Sequence, residues 1–93
     1  MLALKVEVDG QPFTVAGTED WAVLSTQIEA SRDSPNGTAA DLSAIKTVLK
    51  IGAVSHPDKE SMPHHSRWGT LDLGLGSTVK ITIIDTQESA PPI

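Results

Sequence analysis

His56, His64 and His65 fall within a stretch of ten residues, with Asp58 and Glu60 between them. Imidazoles and carboxylates are zinc ligands, so these residue types could form a metal site. Their spacing matches no familiar metal motif, and neighbouring histidines rarely face one ion. The same residues serve as ordinary polar groups of a loop, and no metal is expected. Ser55, His56 and Asp58 supply the residue types of a nucleophile–base–acid set, but triads draw their members from separate elements. No G-x-S-x-G elbow surrounds a serine. Gly74-x-Gly76 leads into a strand, whereas phosphate loops open a helix. Neither catalysis nor a cofactor is expected, so the chain is read as not an enzyme.

A second constellation follows: His65, Arg67 and Trp68. Arg and Trp are the types most enriched at the energetic centres of protein interfaces. A tryptophan in a small domain also serves as core, and core is the expectation for Trp68. The candidate protein-binding set is His56, Asp58, His64, His65, Arg67 and Trp68.

Ninety-three residues make one domain with a modest core. Its aromatic residues are Phe13, Trp21 and Trp68, so the interior must rest on Leu, Ile, Val and Ala. There is no cysteine, which removes disulfides and thiolate chemistry and suits a reducing cytoplasm. No basic-then-apolar leader opens the chain, and no apolar run approaches the roughly 20 residues of a membrane span. The 12 acidic and 7 basic residues give a formal charge of −5, with the acids scattered. That excess argues against nucleic-acid binding, which needs a clustered basic surface.

Two strands are the plainest elements. Leu2, Leu4, Val6 and Val8 alternate with Ala3, Lys5 and Glu7. Val79, Ile81 and Ile83 alternate with Lys80 and Thr82 after a glycine turn. Period 2 sends one set toward a core and the other to water. Asp9-Gly10 predicts a tight hairpin into a strand over 11–16. Thr18-Glu19-Asp20 reads as a helix cap, and Trp21, Leu24 and Ile28 follow at helical spacing, predicting a helix over 19–32. Val23, Ser25 and Thr26 suit a strand equally. Residues 33–37 are turn formers. After Thr38 as a cap, a short helix running into a strand near 47–54 satisfies the pattern to Ala53; one longer strand is the alternative. Residues 55–67, with two prolines, read as a long exposed loop. A strand over 68–75 follows, with Trp68, Thr70 and Asp72 on one face and Leu71, Leu73 and Leu75 on the other.

Hairpin 2–16, helix 19–32, strand 47–54 and strand 78–85 together resemble the β-grasp fold of ubiquitin-like proteins. The chain ends Ala90-Pro91-Pro92-Ile93 without the di-glycine tail of ubiquitin, so the resemblance does not imply conjugation. His65-Ser66-Arg67-Trp68 and Gly76-Ser77-Thr78-Val79-Lys80-Ile81-Thr82-Ile83 are similar to a group of small uncharacterised bacterial proteins. Those carry a His-x-x-Trp loop, a Gly-Asp-x-Val-x-Ile-x-Ile strand and a Pro-Pro end; Ser77 departs from the aspartate. That resemblance implies no activity.

The expected fold is therefore α+β: a small antiparallel or mixed sheet of four or five strands packed with one or two helices. An all-β sandwich or barrel, with 21–30 as a strand, is the alternative. Residues 1–86 form the domain and 87–93 an extended tail. The expected function is a non-catalytic protein-binding module, an inhibitor or accessory subunit of a bacterial or phage system. Its partner is another protein, with neither nucleic acid nor membrane involved. A metal- or histidine-dependent enzyme using loop 55–68 is one alternative. Self-association through a sheet edge, giving a homodimer, is another.

Overall fold

The computed structural model describes residues 1–19, 21–32, 45–56 and 62–93. They form six strands: β1 Leu2–Val8, β2 Gln11–Thr18, β3 Trp21–Arg32, β4 Ile45–His56, β5 His64–Asp72 and β6 Val79–Asp85. These make two antiparallel three-stranded sheets, ordered β2-β1-β6 and β3-β4-β5. Among the described residues there is no helix. The α+β expectation and its β-grasp form are thus corrected to an all-β fold.

The decisive segment is 21–32. It pairs with β4 over its whole length, from Trp21 opposite His56 to Arg32 opposite Ile45. Val23, Thr26 and Ile28 are β-branched and pack well on a pleated surface. Tertiary pairing with β4 outweighs the helical spacing of Trp21, Leu24 and Ile28. In the strand, Trp21 and Leu24 face opposite sides; the exposed Trp21 and half-buried Leu24 follow that alternation. The strand expected near 47–54 begins at Ile45. The expected loop 55–67 is shorter, because Ser55 and His56 complete β4 while His64 to Arg67 open β5. The turn formers at 33–37 and the cap at Thr38 lie outside the described residues.

Asp9 and Gly10 turn the first hairpin with φ of 51° and 78°. Both values are left-handed, as a type I′ turn requires. β1 then pairs with β6 on its other side, bringing the first and last strands together.

One core joins the sheets. Val6 and Ala16 come from the first sheet; Leu49, Ile51, Ala53 and Trp68 come from the second. The Phe13 ring lies on Gly69, whose added Cβ would sit 3.0 Å from Cζ. β5 carries a bulge there: Arg67 pairs with Gly52 and Gly69 with Ile51, leaving Trp68 as the extra residue. A bulge re-aims side chains, and this one turns Trp68 inward while Thr70 faces out.

Residues 89–93 run between β2 and β5. The Ala90 amide donates to the Val15 carbonyl at 2.9 Å, and the Ile93 amide donates to the Arg67 carbonyl at 2.6 Å. The Gly17 amide donates to Ser89 Oγ at 2.8 Å. The tail thereby ties one sheet to the other.

Coverage of the core is incomplete at the margins. Ile81 and Ile83 share the face of Val6 and Leu4 through the β1–β6 register, yet are 42% and 73% exposed. β6 is an edge strand.

Candidate functional site

The outward face of β3-β4-β5 gathers the residues with the most to offer a ligand. Alternation and register place Trp21, Val23, Ser25, Gln27 and Glu29 on it from β3. β4 contributes Val48, Lys50, Gly52, Val54 and His56; β5 contributes His65, Arg67, Thr70 and Asp72. The opposite faces of the same strands hold Leu49, Ile51, Ala53 and Ser55, all buried.

One end of this face is apolar. Trp21 stands opposite His56 and Val23 opposite Val54. Trp21 and Val23 are each 70% exposed. Together with Ala22 they border a shallow depression of about 580 Å³. Directly opposed side chains of an antiparallel pair are near enough to act as one surface.

The other end is polar and basic. A hollow of about 510 Å³ is bordered by Ser25, Gln27, Lys50, Gly52, His65, Arg67 and Thr70, with Ile93 at its rim. Lys50 Nζ lies 3.2 Å from Glu29 Oε2, with both side chains about half exposed. Lys50 and Arg67 are its cationic groups, with Glu29 and Asp72 on the same face.

Of the residues selected from the sequence, His56, His65 and Arg67 meet on this face. His64 pairs with Ser55, one residue out of phase with His65, and so belongs to the other side of the sheet. Trp68 is 6% exposed, in the core, with its indole N–H donating to the Ala90 carbonyl at 2.8 Å. Asp58 lies outside the described residues. Trp21, Val23, Ser25 and Lys50 escaped the sequence reading. Assigning 19–32 to a helix turned Trp21 toward a core, whereas the alternation Trp21, Val23, Ser25, Gln27 would have set it on an outer face.

The geometry limits the chemistry. Ser55 is buried and faces inward while His56 is exposed and faces outward, so the two do not form a nucleophile–base pair. Among the described residues, no three His, Asp or Glu side chains converge as metal ligands. Among them also, no helix is long and apolar enough to cross a membrane. What the face offers is contact: an exposed indole, an aliphatic neighbour, and a cluster of hydrogen-bond donors. No family model, curated protein or solved structure matches this chain.

Proposed function

We propose that the protein is a non-catalytic binding module that docks another protein on the outward face of β3-β4-β5. The observation that carries this is the pair Trp21 and Val23, each 70% exposed, with His56 and Val54 directly opposite and His65 on the next strand. Tryptophan is among the residue types most enriched at the energetic centres of interfaces. Contiguous exposed apolar surface on a small domain marks an interaction site. Lys50 and Arg67 select the partner's chemistry: an apolar side chain for the Trp21 end, flanked by carboxylates. Inhibitors and accessory subunits of bacterial or phage systems act through contacts of this kind. A cytoplasmic setting accompanies the proposal, since a chain without cysteine suits a reducing compartment. The test is capture of partners on immobilised wild type and Trp21→Ala protein. The substitution should remove the bound partner, at a cost of roughly 2 kcal/mol or more in affinity.

A second surface supports self-association. β6 is an edge strand, and edges offer unpaired backbone groups to another chain. Leu2, Ile81 and Ile83 are 55%, 42% and 73% exposed. The β1–β6 register sets them on one face. A dimer through this edge would set Ile81 and Ile83 beside the second copy's strand. Sedimentation at rising concentration checks it, and Ile83→Lys should abolish any dimer seen.

A further inference from the structure

Gly52 leaves a gap in the middle of a tiled face. Along β4 the outward positions on either side are Lys50 and Val54; across the ladders Gly52 faces Ser25 and Arg67. A Cβ at this position would meet the Ser66 carbonyl oxygen at 3.1 Å, so the bulge in β5 favours glycine there. The missing side chain is what opens the hollow.

Beside Ile51, Gly52, Ser66 and Ile93, six outward side chains border it that can donate hydrogen bonds: Ser25, Gln27, Lys50, His65, Arg67 and Thr70. They come from three adjacent strands and approach from both sides of the gap. Lys50 shares its charge with Glu29 at 3.2 Å. Among the described residues, Arg67 has no carboxylate within ion-pair distance. A carboxylate presents two oxygens in one plane, and a single bidentate arginine satisfies both. Donors converging from opposite strands fit an anion with more oxygens, directed tetrahedrally.

We propose that the hollow over Gly52 binds the phosphate group of a small phosphate monoester. Arg67 holds two of its oxygens, Lys50 supplies the second fixed charge, and the Ser25 and Thr70 hydroxyls bond the remainder. The site shares Lys50 and Arg67 with the proposed docking face, but a free anion can be titrated into it with no partner present, so each reading can fail without the other.

The experiment is titration of inorganic phosphate into the full chain at fixed ionic strength, followed by backbone amide shifts. Saturable shifts confined to residues 25–27, 50–52 and 65–70, in the millimolar range, are expected. Arg67→Gln should weaken binding at least about tenfold, and Lys50→Gln by less, since Glu29 already engages that ammonium. Both side chains are exposed, so the variants should melt with the wild type. Acetate should produce no saturable change. Shifts that never saturate, equal response to acetate, or undiminished binding by Arg67→Gln would each overturn the site. So would a phosphoserine peptide that saturates these amides where inorganic phosphate does not, because the ligand would then be a modified protein.

Discussion

The indole N–H of Trp68 donates to the carbonyl of Ala90 at 2.8 Å, joining the bulge of β5 to the final segment of the chain. That segment is simultaneously bonded to β2 through Val15 and Gly17. A side chain from one sheet and the backbone of the other thus meet on the same short stretch. The bond satisfies an indole donor that burial would otherwise leave costly.

Trp68→Ala should lose roughly 3–5 kcal/mol of stability, as buried aromatic truncations do. Trp68→Phe keeps part of the volume but removes the indole donor, leaving the Ala90 carbonyl with Ser89 Oγ at 2.9 Å, and should cost less. Denaturant melts of the two variants separate packing from the hydrogen bond. A Trp68→Ala protein that melts with the wild type would contradict the buried placement.

Ser89 Oγ accepts the Gly17 amide at 2.8 Å and lies 3.1 Å from the Val15 carbonyl. Ser89→Ala leaves that half-buried amide without its partner. The expected loss is about 1 kcal/mol, with faster amide exchange at Gly17. Unchanged exchange at Gly17 would show that the tail does not clasp β2.

Thr26 faces inward, and among the described residues its buried hydroxyl has no hydrogen-bond partner. Valine has nearly the same shape without the polar group. Thr26→Val should be neutral or stabilising by about 1 kcal/mol, read as an upward shift in the denaturation midpoint. A marked loss would mean that the hydroxyl is satisfied in solution.

Gly69 lies beneath the Phe13 ring, with an added Cβ 3.0 Å from Cζ and 3.3 Å from Cε1. Gly69→Ala should therefore destabilise by roughly 1–3 kcal/mol, as overpacking does. Pairing it with Phe13→Leu should recover part of the loss. A double-mutant cycle without coupling would contradict the contact between the two sheets.

Local chemistry made some of this fold legible. Asp9-Gly10 announced its turn because few residue pairs tolerate two left-handed conformations. The alternation at β1 and β6 announced strands because a half-buried sheet imposes period 2. Residues 21–32 misled because Trp21, Leu24 and Ile28 fit a helix while Val23, Ser25 and Thr26 fit a strand. Twelve cross-strand pairings with β4 decide the matter, and no local pattern contains them. Ile81 and Ile83 read as core, yet they stand on an edge strand and stay exposed, and strand order is not written in a local pattern. The site was half visible: His65 and Arg67 stood out by type. Trp21 was hidden by the wrong period, and the hollow at Gly52 arises from a bulge on the neighbouring strand.

The most direct measurement is quantitative partner capture from extract of the native host on three immobilised proteins: wild type, Trp21→Ala and Ile83→Lys. Trp21 is 70% exposed, so its replacement should leave the melting curve within about 0.5 kcal/mol of wild type. A docking face on β3-β4-β5 predicts one protein retained by wild type and Ile83→Lys, and depleted at least tenfold on Trp21→Ala, about 1.4 kcal/mol. The same protein held equally by all three would contradict that face.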